Sequence, residues 1–324
     1  MNEMVRALVT GAAGFIGSHV AQELLRRGRS VVGVDNIDDF YAPANKRRNL
    51  QEIRDSPGGA AFEFVEADLT DAAAMSRLFE RVRPAEVVHL AARAGVRPSI
   101  AAPELYARVN VEGTSLLLNL ASRHGCVSFV GASSSSVYGN NRKVPFAETD
   151  AVEQPISPYA ATKRAGELIA HTFHHLTGMP VSMLRFFTVY GPRQRPDLAI
   201  AKFIDLVSRG EPIPVFGDGS TSRDYTFVGD IVAGVMSALE RTPAHGYRIW
   251  NLGSDTPMTL TEMIRTVERV VGRAAIIERR PSQPGDVERT WADLTRARSE
   301  LGFTPRTSFE AGVRTQWEWA RSLR

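Results

Sequence analysis

A glycine loop set between a short apolar strand and a helix is the most restrictive stretch of this chain. Arg6 to Thr10 reads Arg-Ala-Leu-Val-Thr, an apolar run suited to a buried strand of a parallel sheet. It leads directly into Gly11-Ala-Ala-Gly14-Phe-Ile-Gly17, and Ser18 to Arg27 then has helical character up to a stop at Gly28. Strand, loop and helix in that order are what a dinucleotide pyrophosphate requires. Gly11 permits the tight turn, Gly14 lets backbone approach the phosphates, and Gly17 lets the helix pack closely on the strand. The helix start, with Phe15 and Ile16, adds N–H groups and a positive dipole end.

The next segments extend that site. Ser30 to Val34 reads as a second strand ending in Asp35-Asn36. An acid at this tip accepts hydrogen bonds from the adenosine ribose and repels a 2′-phosphate, which selects NAD over NADP. Lys46-Arg47-Arg48 lies well past the strand end and reads as a solvated face. Phe62 to Glu66 is a third strand, after which Asp68, beside Leu69, is placed to bond the adenine amine. Ala72 to Val82 is a helix and Glu86 to Leu90 a fourth strand. Leu90, Ala91 and Ala92 then present small residues against which a flat cofactor can lie, and the segment continues into Gly95, Val96 and Arg97. His89, between apolar neighbours, reads as a satisfied core residue. Asn110, within the helical stretch 104–122, is either plain helix surface or the holder of a water near Lys163.

Cys126 to Gly131 is a fifth strand, and Ser133 to Ser136 follow it. Strand on one side and Val-Tyr-Gly on the other make a flexible linker a poor reading of the serines. Hydroxyls at the carboxyl ends of parallel strands stand where open α/β sheets bind ligands. With Val181 to Phe187 as a sixth strand, Phe186 at its end, the alternation argues an α/β doubly wound parallel sheet of the Rossmann type.

Between the last two strands lies Ser157-Pro-Tyr-Ala-Ala-Thr-Lys163. Pro158 suits a first helical turn, where its missing N–H costs nothing. Tyr159 and Lys163 then share one face, one turn apart. An ammonium beside a phenol lowers its pKa and makes a general base; without that context the pair is ordinary helix surface.

Composition narrows the classes. The 324 residues are 43% apolar and 23% charged, as in an ordinary soluble protein. No apolar run approaches the length of a membrane span, and the first 30 residues do not read as a signal peptide. Cys126 is the single cysteine, so an intrachain disulfide is ruled out and a reducing cytoplasm is the default. The net charge of +3 is spread along the chain, which argues against a nucleic-acid partner, and no metal site is expected.

Taken in order, Gly-x-x-Gly-x-x-Gly, Asp35-Asn36, Ser-Val-Tyr-Gly, Tyr-x-x-x-Lys and Arg185-Phe-Phe-Thr-Val-Tyr-Gly-Pro192 resemble the extended short-chain dehydrogenase/reductase family of nucleotide-sugar epimerases and dehydratases. The likeness continues through Phe216-Gly-Asp-Gly, Arg223-Asp-Tyr, Val228-Gly-Asp230 and Pro284-Gly-Asp286 and so covers nearly the whole chain. It implies a bound NAD and a smaller mixed α/β C-terminal domain for a nucleotide diphosphate sugar. The division expected is 1–187, with 225–255 returning to it, for NAD, and 188–224 with 256–324 for the sugar nucleotide. By the same resemblance Tyr159 is the base, Lys163 lowers its pKa and binds the nicotinamide ribose, and Ser134 bonds the reacting oxygen. Helices 104–122 and 159–176 would form a homodimer face.

Dehydratases and decarboxylases of this family resemble Thr-Asp-Glu or Thr-Ser-Glu where this chain has Ser134, Ser135 and Ser136. With no carboxylate there, the simplest outcome is return of hydride to the opposite face, an epimerisation. Thr188 and Arg195 make the segment similar to the UDP-glucuronate 4-epimerases, with Arg195 and loop serines expected at the sugar carboxylate. A guanidinium can hold a carboxylate in two parallel bonds and restrain a β-keto acid from losing carbon dioxide. Arg193 reads as a loop residue or a pyrophosphate contact. Val215 and Phe216 are expected at the uracil, Arg223 at the diphosphate and Asp286 at the ribose, with Arg289 near the same site. UDP-glucose 4-epimerase, UDP-glucuronate decarboxylase and a non-catalytic binder of NAD or sugar nucleotide remain the alternatives.

Overall fold

The computed structural model describes residues 5–281 and 287–324. Its strands, in chain order, are β1 (Arg6–Thr10), β2 (Ser30–Asp35), β3 (Phe62–Glu66), β4 (Glu86–His89), β5 (Ser128–Ser134) and β6 (Val181–Phe186). There follow β7 (Thr188–Tyr190), β8 (Pro212–Phe216), β9 (Ser222–Phe227), β10 (Tyr247–Leu252), β11 (Pro257–Thr259) and β12 (Ile276–Arg280). Seven of them form one sheet in the order β10-β6-β5-β4-β1-β2-β3, with every pair parallel. Strand order reverses between β1 and β4, so the crevice at their carboxyl ends is the place where such a sheet takes a ligand. The glycine loop leaves β1 there, and Leu90 leaves β4.

Both faces of the sheet are covered, as buried parallel strands require. Helices Phe15–Arg26 and Val228–His245 bring Val20, Leu24, Ile231 and Val235 onto one face beside Trp250. Helices Ala72–Val82 and Gly113–Arg123 bring Phe79, Leu117 and Leu118 onto the other, against Phe129. A separate core gathers Phe203, Ile213, Tyr225, Ile264 and Val267 in the C-terminal part, under the small sheets β11-β9-β7 and β12-β8. Among the described residues no helix is long and apolar enough to cross a membrane.

Two elements differ from the sequence expectation in ways that matter for the site. The fifth strand starts and ends later, at Ser128–Ser134, which puts Ser133 and Ser134 in register with Arg185 and Phe186 of β6. Successive strand residues point to opposite faces, so the two serines part company. The helix expected over 104–122 is divided by a π-helical turn at Arg108–Glu112, and Asn110 sits inside that turn.

Candidate active site

The helix that carries Tyr159 and Lys163 forms for local reasons. Ser157 caps it, its Oγ accepting from Ala160 N at 3.1 Å, Pro158 starts it, and Gly178 ends it in the left-handed region. The helix runs from Pro158 to Thr177 and carries half-buried Tyr159 and buried Lys163 at the ends of β5 and β6. Tyr159 is further fixed by its own N–H, which donates to Ser99 Oγ at 3.1 Å, and by Tyr106, edge-on with ring centroids 6.3 Å apart.

Lys163 Nζ donates to Ala132 O at 2.8 Å, and burial lowers its pKa to about 8 against the opposing pull of Glu167. The Lys163 ammonium is therefore held at the strand end, one helical turn from Tyr159. Burial pushes the phenol above its ordinary value, while a hydrogen bond with Ser134 and the charge of Arg195 pull it back. Ser134 and Arg195 are thus the neighbours that favour the charged form of the phenol. Ser134 also caps a short 3₁₀ turn, Ser135–Tyr138, accepting from Ser136 N at 3.1 Å.

A buried ion pair underlies the helix. Glu167, one turn beyond Lys163, accepts from Arg185 Nε at 2.8 Å and Nη2 at 2.9 Å, and from Ser133 Oγ at 2.7 Å. Arg185 also donates to Tyr138 OH at 2.9 Å, and that hydroxyl donates to Asn251 Oδ1 at 2.7 Å. Every charge in the group is matched, as a buried pair requires. The role of Glu167 and Tyr138 escaped the sequence reading, although an arginine within the apolar strand Val181–Phe186 was a visible signal.

The cofactor crevice follows its glycines. A Cβ on Gly11 would stand 2.8 Å from Ala91 N, and one on Gly17 would stand 2.0 Å from Gly11 O. Gly14 N donates to Gly11 O at 2.9 Å, and Gly14 precedes the helix Phe15–Arg26, whose first residues include Ile16. Asp35 ends β2, buried, accepting from Ile37 N at 2.9 Å. Lys46 is not a solvated face: its ammonium is buried 3.5 Å from Asp35 Oδ1 and lies over the Tyr41 ring. Burial raises the Asp35 pKa, and Lys46 acts against that rise. Asn36 Nδ2 donates to Asp68 Oδ2 at 2.8 Å, which joins the ends of the second and third strands, and Leu69 packs against Gly113. Leu90 N donates to Thr10 O and Ala91 N to Thr10 Oγ1, both at 3.2 Å, with Ala92 next in the same loop.

Asn110 is neither helix surface nor turned to solvent. Its Oδ1 accepts from Arg93 N at 2.8 Å, while Nδ2 donates to Arg93 O at 2.9 Å and Thr162 Oγ1 at 3.1 Å. It ties the loop after β4 to the Pro158–Thr177 helix. His89 is a core residue as read, 2.7 Å from Thr10 Oγ1 and 3.0 Å from Thr114 Oγ1, with burial lowering its pKa to about 3. Phe186 lies in the main core.

Beside the start of the Pro158–Thr177 helix is a cavity of about 150 Å³ whose wall includes Val96, Ser135, Ser136, Thr188 and Arg223. Ser157 and Thr290, which the sequence reading missed as wall residues, also face it. No carboxylate lines it among the described residues. Asp224, next to Arg223, accepts from the N–H groups of Ser254, Asp255 and Ala292 and so staples that strand to its neighbours. The Arg97 guanidinium lies 5.2 Å from the Phe216 ring centroid. Val215 points instead into the C-terminal core.

Arg195 lies beside Gly95 and Tyr159. A Cβ on Gly95 would be 3.9 Å from its Nη2, and its charge acts on the Tyr159 phenol. The guanidinium lies over the Phe40 ring, 4.8 Å from the centroid, and bonds both oxygens of Asp197 at 3.0 and 2.7 Å. Arg193 faces the other way, neither solvated nor at a phosphate position, with Nε 2.6 Å from Glu52 and Nη1 2.9 Å from Gln22. Arg289 is exposed beside Ser222, and Asp286 lies outside the described residues.

Three comparisons bear on this arrangement. Residues 8–316 match the family model described as GDP-mannose 4,6 dehydratase. The chain is 41% identical over 315 residues to a UDP-glucuronate 4-epimerase of Thermodesulfobacterium geofontis, covering 97% of this chain and 95% of that protein. It superposes, with a TM-score of 0.92 and 33% identity over 99% and 100% of the two chains, on the UDP-glucuronic acid 4-epimerase of Bacillus cereus in complex with UDP-glucuronic acid and NAD. The UDP-glucose 4-epimerase of Thermotoga maritima with UDP-glucose gives a TM-score of 0.89 at 33% identity, over 98% and 99% of the chains.

Proposed function

The chain belongs to the GDP-mannose 4,6 dehydratase family, and on that premise we propose that it is an NAD-dependent 4-epimerase interconverting UDP-glucuronate and UDP-galacturonate. The cradle fits NAD: any side chain at Gly11 or Gly17 would collide with neighbouring backbone, and the buried Asp35 carboxylate stands at the ribose end of the crevice. When bound there, NAD would supply the acceptor and then the donor for the hydride of sugar carbon 4.

Everything else is done by the chain. The Tyr159 phenolate accepts the proton of the 4-hydroxyl and later returns it, while Ser134 hydrogen-bonds the same oxygen. Lys163 holds the nicotinamide ribose from its seat beside Ala132. Arg195 clamps the sugar carboxylate, with Asp197 and Phe40 setting the guanidinium plane. A carboxylate held near the ring plane keeps its breaking bond out of overlap with the 4-ketone, so carbon dioxide is retained. Arg223 takes the diphosphate, Phe216 with Arg97 the uracil end, and Asp286 the ribose.

The observation that carries epimerisation over elimination is the cavity wall, which offers hydroxyls from Ser135, Ser136 and Thr188 and no carboxylate among the described residues. A second acid–base step at the sugar therefore has no agent. The reading also keeps the division into 1–187 with 225–255 for NAD and 188–224 with 256–324 for the sugar nucleotide. The place of β10 at the sheet edge and the separate C-terminal core support it. It includes a homodimer of the reducing cytoplasm, supported by Leu168, half exposed on the outer face of the catalytic helix, and by the single buried cysteine. Purified protein incubated separately with UDP-glucuronate and UDP-glucose tests the activity. UDP-galacturonate from the first is expected; UDP-xylose, exclusive UDP-galactose formation, or bound NAD without turnover would each replace this reading by a rival.

A further inference from the structure

The loop that carries Arg195 begins with a turn in which one residue is out of place. Gln194 N donates to Gly191 O at 3.1 Å, which closes a four-residue turn over Pro192 and Arg193. Proline suits the second position of such a turn, and Arg193 follows it with φ +65°. A positive φ at the third position is type II geometry, which glycine takes freely and an arginine adopts only where its surroundings hold it. An arginine stands here all the same, so the reason for it lies in its side chain.

That side chain is an anchor. It is only 7% exposed, with Nε 2.6 Å from Glu52 Oε2 and Nη1 2.9 Å from Gln22 Oε1. Gln22 Nε2 in turn donates to Glu52 O at 2.8 Å, and His19 Nε2 donates to Pro192 O at 3.0 Å. His19 and Gln22 stand on the helix Phe15–Arg26 and Glu52 on the helix Pro43–Arg54, so the turn is fastened to the cofactor side of the molecule. Gln194 fixes its other side, donating to Val189 O at 2.9 Å and accepting from Gln316 Nε2 at 2.8 Å. A second turn starts at the next residue, where Leu198 N donates to Arg195 O at 3.1 Å, and Asp197 within it holds the Arg195 guanidinium. Where the first turn is set therefore decides where Arg195 stands.

We propose that Arg193, paired with Glu52, is a positioning residue for Arg195, and that this anchor sets the preference for a sugar nucleotide bearing a carboxylate over one bearing a hydroxymethyl group. The inference rests on Arg195 as the carboxylate clamp and extends that reading to residues that touch no substrate. A two-bonded guanidinium–carboxylate contact needs both position and plane, so a shift of about 1 Å is enough to lose it. The diphosphate and base are held by other residues, so a looser turn costs the uronate and spares the hexose. An anchor that only stabilised the fold would cost both alike.

The test is calorimetric titration of the full-length, NAD-loaded Tyr159→Phe protein, in which turnover is silenced, with UDP-glucuronate and with UDP-glucose. Arg193→Gly, Glu52→Gln and Arg195→Leu are added to it singly, and the first two also on top of Arg195→Leu. Arg193→Gly removes the anchor at a backbone position that glycine prefers, so the turn keeps its shape. Glu52→Gln keeps the size and removes the charge. NAD content and melting temperature show that each protein is folded. Arg193→Gly is expected to weaken UDP-glucuronate by about tenfold and Glu52→Gln by about threefold, while UDP-glucose changes by less than about twofold. On top of Arg195→Leu neither adds a further loss. The proposal is overturned by an Arg193→Gly protein with the parent's affinity for UDP-glucuronate, by equal losses for both sugars, or by a loss that persists undiminished beside Arg195→Leu. The underlying reading is tested by a different variant: an Arg195→Leu protein that binds UDP-glucuronate as the parent does removes the clamp, and the anchor with it.

Discussion

At the carboxyl end of β1 the contacts that shape the site are backbone contacts. Gly11, Gly14 and Gly17 bring carbonyls and N–H groups to within a Cβ radius of one another. Around Arg195 the site is shaped by long side chains instead: a guanidinium on Asp197, an aromatic ring beneath it, and Arg97 over Phe216. Backbone shape tolerates almost no change, because an added Cβ has nowhere to go. A side-chain wall can be edited, and the cost appears as specificity before it appears as folding. The Pro158–Thr177 helix joins the two walls, and its buried Glu167–Arg185 pair anchors it to the rigid side.

That contrast can be broken at three points. Gly17→Val should have the largest effect, because its Cβ would lie 2.0 Å from Gly11 O. A loss above about 4 kcal/mol, the range of severe strain and overpacking, is expected, with bound NAD gone and the melting temperature collapsed. A well-folded, NAD-loaded Gly17→Val protein would show that the backbone wall is not rigid. Tyr159→Phe comes next, at the joint. Turnover should fall by about a thousandfold, roughly 4 kcal/mol of transition-state stabilisation, while NAD content and melting temperature hold. A variant that still interconverts the sugars would remove the phenol from the chemistry.

Arg195→Leu should have the smallest effect on the protein and the most informative one on the substrate. We expect kcat/KM for UDP-glucuronate to fall by about 10- to 100-fold, consistent with loss of a charge-assisted pair, and that for UDP-glucose to change little. The same variant tests the electrostatics. The Arg195 charge favours the phenolate and holds the Tyr159 pKa down, so removing it raises that pKa. The ascending limb of the pH–rate profile therefore moves to higher pH. An unmoved limb would mean that Arg195 does not act on the phenol.

The same contrast explains how much of the molecule could be read beforehand. The glycine loop, the strand tip at Asp35 and the helix start at Ser157-Pro158 are local demands of the backbone, written over a few consecutive residues. Pairs made through space leave no such trace. Arg193 meets Glu52 across 141 residues and Arg185 meets Glu167 across 18, and no periodicity encodes either partnership. Lys46 looked solvated because its neighbours are charged, yet the helix Pro43–Arg54 turns that one cation inward to Asp35. Ser133 and Ser134 were read as one loop. A strand that ends three residues later sends the first to Glu167 and leaves the second beside Tyr159.

The central claim is that hydride leaves and returns to one sugar carbon while Tyr159 handles the proton. UDP-glucuronate deuterated at carbon 4, incubated in ordinary water and followed by NMR, tests it most directly. The account predicts UDP-galacturonate that keeps both the deuterium at carbon 4 and the carboxylate at carbon 6. Deuterium washed out into the solvent, or a pentose product, would contradict it.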